Sequence, residues 1–314
     1  MQILLWTIVL LVSIAFLVKS ADIFTEKSEQ LGIRLGISSL VVGATIVAIG
    51  TSLPELLSSL FALGAGETSF VVDNIVGSNI ANALLILGIG GIVARGLRAE
   101  VSLIRTELPF FFMSMALFGY FAIDKVITRA EGFFLILFLI VFMLYQTFQK
   151  KVVLLEDDEE ALAKKESFLR LTLFIVVSAI VLSISAKYLV TSVLTLSQLL
   201  GVSSSLLTIT VVAFGTSLPE IITSVSAIRR GNHGIAIGNV LGSNTFNLLL
   251  IGGLPALIHP LSISQETFVV GLPFFVIATF IAFFSLYDDR VDPWEGLAMI
   301  FFYLVFLGKI LHIL

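Results

Sequence analysis

The segment Val47-Ala48-Ile49-Gly50-Thr51-Ser52-Leu53-Pro54-Glu55 returns 165 residues later as Val212-Ala213-Phe214-Gly215-Thr216-Ser217-Leu218-Pro219-Glu220, with eight of nine positions identical. At the same offset Asn74, Gly77, Ser78, Asn79 and Asn82 meet Asn239, Gly242, Ser243, Asn244 and Asn247, and Leu35-Gly36-Ile37-Ser38 meets Leu200-Gly201-Val202-Ser203. No gap is needed anywhere across this stretch. A chain that repeats itself this closely over a long period is one structural unit used twice.

Each copy of the unit lies in apolar sequence. Of the 314 residues 58% are apolar and only 13% charged, whereas a soluble domain carries roughly 25% charge. Such a chain cannot cover a water-facing surface, so the class is membrane protein. The apolar runs are continuous rather than alternating, which selects helices over a barrel. About 20 residues cross the bilayer, and ten runs qualify: 2–20, 38–63, 70–94, 104–123, 132–148, 168–189, 204–228, 235–258, 266–286 and 294–313. The first has no basic residue before Lys19 and has a partner in the second half, so it reads as a span rather than a signal peptide.

The two motif copies fall on spans 2–3 and 7–8, five spans apart. An odd separation makes them enter the membrane in opposite directions. The expected fold is therefore an all-α polytopic membrane protein of ten transmembrane helices in two inverted five-helix repeats, the arrangement of alternating-access transporters. Residues 1–149 form the first repeat, 150–167 a linker and 168–314 the second repeat. Fourteen of the eighteen Lys and Arg residues fall in the loops after odd-numbered spans. The positive-inside rule then puts those loops and the linker in the cytoplasm of a cell membrane protein and both termini outside. The linker carries the acidic run Glu156, Asp157, Asp158, Glu159, Glu160, which lacks the spaced ligands and glycine of an EF-hand loop and reads as a solvated segment.

Glu55 and Glu220 lie inside apolar spans, where a carboxylate is costly and marks function. Each follows a proline, which removes a backbone N–H and frees carbonyls near Ala48 and Gly50, and near Ala213 and Gly215. Such carbonyls are tolerated at membrane depth only where they line a cavity or bind something. Thr51 and Glu55 share a helix face at i and i+4 with Ser52 adjacent, and so do Ser78 and Asn82 on the next span. The second copy adds Thr216, Ser217, Glu220, Ser243 and Asn247. Every donor atom in this set is oxygen, which suits hard cations: Ca2+ takes 6–8 oxygens in flexible geometry, and two carboxylates balance one Ca2+ or support several Na+. Nitrogen and sulfur donors are absent, against Zn, Cu or Ni. With no cysteine in the chain, disulfides and thiol chemistry are excluded. No nucleophile–base pair, cofactor motif or basic stripe for nucleic acid is present, so the chain reads as neither an enzyme nor a nucleic-acid binder, and no cofactor is expected.

Other polar residues have plainer readings beside this one. Asn79 and Asn244 project differently from Asn82 and Asn247 and fit a small-residue packing face. Asn74 and Asn239 fit either helix caps or site residues. Asp73 has Gly238 as its counterpart and reads as a residue near the outer mouth. Asp22 and its counterpart Lys187 read as interfacial anchors, and His233, His259 and His312 as span-end residues rather than ligands.

Gly-Thr-Ser-Leu-Pro-Glu followed by Asn-x-x-Gly-Ser-Asn, twice, with Gly before the Asn in the second copy, resembles the two alpha-repeats of the sodium/calcium exchanger family, within the cation/Ca2+ antiporter superfamily. The length and span pattern are similar to its compact prokaryotic members. The resemblance implies a central cluster of four sites, one for Ca2+ and the others for Na+. Its ligands would be the Ala48 carbonyl, Thr51, Ser52, Glu55, Ser78 and Asn82, with the Ala213 carbonyl, Thr216, Ser217, Glu220, Ser243 and Asn247. It further implies that spans 1 and 6 slide against a core of the other eight. Some members carry Asp where this chain has Asn247; the Asn form points away from K+ co-transport and leaves stoichiometry open.

The leading reading is electrogenic Na+/Ca2+ antiport by a chain that works as a monomer in lipid. The alternative is proton-coupled Ca2+ exchange, since protons compete for carboxylate oxygens. A passive cation channel is a different class, and it usually needs a symmetric oligomer around a pore.

Overall fold

The protein is described from a computed structural model that covers residues 2–98, 101–148, 167–199, 217–287 and 290–311. Residues 150–166 of the linker, the acidic run within it and residues 200–216 lie outside the described residues, as do the expected ligands Ala213 and Thr216 and the span-end residue His312. In chain order the helices are α1 (Gln2–Leu35), α2 (Ser39–Gly64), α3 (Thr68–Val93), α4 (Val101–Phe121), α5 (Arg129–Phe148), α6 (Phe168–Leu199), α7 (Leu218–Arg229), α8 (His233–Ile258), α9 (Thr267–Tyr287) and α10 (Pro293–Ile310). Among the described residues eight of them are long and apolar enough to cross a membrane. The apolar part of α4 is shorter, running from Glu107 to Phe121, and the described part of α7 begins only at Leu218.

Burial sorts these helices into layers. In the most apolar window of α3, 83% of residues are buried inside the protein, and in that of α8, 78%; for α1 the share is 17%. The two central helices are the ones that carry the repeated Gly-Ser-Asn motif. The outer helices turn large side chains such as Leu4, Leu11 and Phe16 of α1 and Leu169 and Leu173 of α6 outward. An exposed apolar surface of this extent is what lipid covers.

Helix α1 runs on to Leu35, well past the expected end of span 1 at residue 20. The reason is facial. Lys19, Asp22, Glu26 and Lys27 end the run of apolar residues, yet Leu17, Ala21, Phe24, Ser28 and Leu31 continue a buried stripe at helical spacing. Its repeat counterpart α6 likewise reaches Leu199 rather than residue 189. At about 1.5 Å per residue, the 34 residues of α1 span about 50 Å, so it overreaches a bilayer core of about 30 Å. The two long helices pack against each other along their lengths.

Two short antiparallel ladders tie the ends of the bundle. Strand β1 (Leu97–Arg98) pairs with β4 (Arg290–Val291), and β2 (Val126–Ile127) pairs with β3 (Leu261–Ser262).

Candidate functional site

The site begins with a break in a helix. Ser52 leaves helical geometry at φ −84°, ψ 4°, and Ser217 matches it at φ −85°, ψ 1°. Pro54 and Pro219 then open new helical segments, where a missing N–H costs nothing. Glu55 and Glu220 fall in the first turn of those segments. Each carboxylate thus sits on the positive end of a helix dipole, which favours negative charge. Both are shielded from solvent, at 1% and 0% exposure, and Glu220 lies close enough to repel a charge on Glu55.

Helices α2 and α8 cross with almost no side-chain separation. A Cβ on Gly238 would fall 2.3 Å from the Leu40 carbonyl oxygen, and one on Gly242 2.5 Å from that of Ala44. Only hydrogen fits in either place. This approach brings Asn239 and Ser243 of α8 to Thr51 of α2. The Thr51 hydroxyl donates to Asn239 Oδ1 at 3.1 Å and lies 3.4 Å from the Ser243 hydroxyl. Asn239 in turn donates to Ser224 Oγ at 2.9 Å and to the Glu220 carbonyl at 3.4 Å. Its counterpart Asn74 makes the matching bond to Ser59 Oγ at 3.3 Å. Neither is a helix cap: the caps are Glu67 and Asn232, at the starts of α3 and α8.

The amides come from widened turns. Residues Ala81–Ile86 and Asn247–Ile251 are π-helical, a local form frequent at functional sites, and they hold Asn82 and Asn247. Asn82 donates its Nδ2 to Asn244 Oδ1 at 2.9 Å, and Asn247 donates its Nδ2 to Asn79 Oδ1 at 3.0 Å and Ser78 Oγ at 3.2 Å. Asn79 and Asn244 also donate to each other's backbone carbonyls, at 3.2 and 3.4 Å. Every one of these bonds has its equivalent at the 165-residue offset, apart from the one to Ser78. With the amide nitrogens engaged, the oxygens Asn82 Oδ1 and Asn247 Oδ1 are buried without a partner, as are Glu220 Oε2 and both carboxylate oxygens of Glu55. Hydroxyls complete the frame: Ser52 donates to Glu220 Oε1 at 3.3 Å, and Ser78 and Ser217 lie 3.2 Å apart.

Among the described residues the structure therefore brings together Thr51, Ser52, Glu55, Ser78, Asn82, Ser217, Glu220, Ser243 and Asn247, all buried. The Ala48 carbonyl is nearby but engaged, accepting from the Ser52 N–H at 3.0 Å and the Thr51 hydroxyl at 3.3 Å. The helix runs on to Ser52 before it breaks, so the carbonyl that loses its donor to Pro54 is that of Gly50. Phe24 of α1 rests against Gly50 and closes that side of the site. Five acceptor oxygens with no donor are what a desolvated cation requires; in a dry interior each would otherwise be costly.

Two features were not legible as functional in the sequence. Asn79 and Asn244 fit a packing face, yet they hold the two amides that present free oxygens. Their invariance under the repeat offset was the available signal. Glu107 is a third buried carboxyl, on α4, and accepts from Gln146 Nε2 of α5 at 2.9 and 2.7 Å. It stands at the edge of an apolar run, where a charge looks interfacial. Asp73 accepts from Ser264 at 2.8 Å and Asp22 from Ser226 at 2.5 Å, so both brace neighbouring segments.

Comparison with known proteins matches residues 5–148 and 170–311 to the family model described as sodium/calcium exchanger protein. The sodium/calcium exchanger MaX1 of Methanosarcina acetivorans is 32% identical, with 98% of each chain aligned. The inner membrane protein YrbG of Escherichia coli is 31% identical over 93% of this chain and 91% of its own. Among solved structures, the sodium-calcium exchanger NCX_Mj superposes with a TM-score of 0.84 at 23% identity, covering 96% of this chain and 98% of that one, a likeness of fold.

Proposed function

The chain belongs to the sodium/calcium exchanger family, and from that premise we propose that it exchanges Na+ for Ca2+ across a cell membrane by alternating access. The observation that carries this reading is the set of five unpartnered acceptor oxygens on Glu55, Glu220, Asn82 and Asn247, enclosed between the two motif copies. Two carboxylates neutralise one Ca2+, while the amide and hydroxyl oxygens complete the shell. Several Na+ can replace it on the same oxygens, with Thr216 and the carbonyl of Ala213 as further ligands. When the site is empty, two facing carboxylates in a dry interior repel each other. Crossing is then costly unless ions are bound, and that penalty is what couples the two fluxes. Three Na+ per Ca2+ would move one net charge per cycle.

The reciprocal hydrogen bonds at the 165-residue offset support a two-fold arrangement of two inverted five-helix repeats, 1–149 and 168–314, joined by the linker 150–167. In this arrangement α1 and α6 move against the rest, both termini lie outside, and a single chain suffices.

The test is Ca2+ uptake into Na+-loaded liposomes diluted into Na+-free buffer. Uptake should require internal Na+, persist with the pH gradient clamped, and respond to membrane potential. Glu55→Gln and Glu220→Gln should each lower it by about 100-fold or more, beyond the 10–100-fold typical of residues that only support a metal ligand. Uptake driven by a proton gradient without Na+ would replace Na+ with H+ as the coupling ion, and normal transport by both variants would remove the two glutamates from the site.

A further inference from the structure

Away from the carboxylates, a cavity of about 820 Å3 opens at the end of the molecule where the sequence concentrates its basic residues, and Arg95, Arg98, Arg230 and Arg290 all line it. Among the described residues Glu29 is its one acidic lining residue, and it already accepts from Asn232 Nδ2 at 2.6 Å. Arg230 is paired with Glu26 at 2.8 Å, and Arg290 with Asp292. Arg95 and Arg98 have no carboxylate partner among the described residues.

The backbone places these charges against electrostatic preference. In the β1–β4 ladder Arg98 stands directly opposite Arg290, and like charges in that position destabilise a pair of strands. Arg95 is held in the left-handed region at φ 52°, which is uncommon for a residue with a Cβ. The start of α8 at Asn232–Gly234 and the start of α2 at Ser38–Ser39 border the same space, and helix N-termini add positive field. Positive-inside placement alone would scatter arginines over the loops. Here they converge on one concavity. The repeat counterparts of Arg95 and Arg98 at the other end of the molecule are Pro260 and Ile263, so the fold itself does not require them.

We propose that this cavity binds a phosphate-bearing anion, clamped by Arg98 and Arg290 with Arg95 closing over it. Guanidinium groups match phosphate oxygens in bidentate geometry, and a bound anion would turn the Arg98–Arg290 opposition into a bridge. The anion would come either from an acidic lipid headgroup at the membrane surface or from a soluble phosphate.

The purified full-length chain can be titrated with dioctanoyl phosphatidylglycerol, dioctanoyl phosphatidylcholine and inorganic phosphate, following thermal unfolding and bound mass. Phosphatidylglycerol or inorganic phosphate should stabilise the protein and bind at one site, and phosphatidylcholine should not; whichever of the two wins identifies the source. Arg98→Gln and Arg95→Gln should each weaken binding by about tenfold or more, and Arg129→Gln, at the start of α5, should leave it unchanged. In the absence of anion, Arg98→Gln should unfold at a higher temperature than the parent, because the like-charge opposition is gone. Equal stabilisation by phosphatidylcholine, or undiminished affinity in both arginine variants, would overturn the proposal.

Discussion

Asn79 and Asn244 each commit both ends of the side chain to the opposite half of the molecule. In the proposed site they would act on a cation only through Asn82 and Asn247, whose amide nitrogens they hold. Asn244→Ala should let the Asn82 amide rotate and lower the apparent Ca2+ affinity by about 10–100-fold, read as a shift in the Ca2+ dependence of initial uptake. The glutamates and the Ser-Asn pairs were legible from the sequence, because charge in an apolar run and i,i+4 spacing are local facts. The amide-holding role was not, because it depends on which residues the two halves bring opposite each other. Glu107 escaped for the same reason: its partner Gln146 is 39 residues away. Gln146→Leu should leave that carboxyl buried without a donor and destabilise the protein by about 1–3 kcal/mol, more if it is charged. The double variant Glu107→Leu with Gln146→Leu should recover much of the loss. Thermal unfolding in detergent reads both, and Ca2+ transport should survive in the double variant.

At the scale of elements, the placement of the helices was readable and their lengths were not. Counting apolar residues ended span 1 at the first charges, although the buried stripe of α1 continues past them to Leu31 and Gly32. Burial on one face, not mean hydropathy, sets where such a helix ends. The break at Ser52 was foretold by Pro54, while the π-helical turns at Asn82 and Asn247 carry no local sequence mark. The crossing of α2 and α8 is a demanding contact between elements, since backbone meets backbone at Gly238 and Gly242. Gly238→Ala must push the helices apart. It should cost about 1–3 kcal/mol or more, seen as a lower unfolding temperature, and should weaken Ca2+ uptake as well because Thr51 is pulled away from Asn239.

At the scale of the whole molecule, the proposed inverted arrangement makes a prediction about sidedness. The chain has no cysteine, so single introduced thiols report it cleanly. Asp124→Cys should react with an impermeant maleimide in intact cells, and Arg229→Cys only after the membrane is permeabilised, if the positive-inside reading holds. Reversed labelling would invert the orientation without altering the site. The long pair α1 and α6 has a property that bears on how the molecule works. Ser13, Ser20, Ser178 and Ser192 are buried, and each donates its hydroxyl to a carbonyl of its own helix. Directional bonds from α1 to the remaining helices gather in its second half, where Asp22, Glu26 and Glu29 meet Ser226, Arg230 and Asn232. Over its first half this helix therefore offers a bearing surface: Ser13 and Ser20 are already satisfied within it, so axial travel would break no bond of theirs, and friction would come from side-chain bumps while the latch lies in the other half.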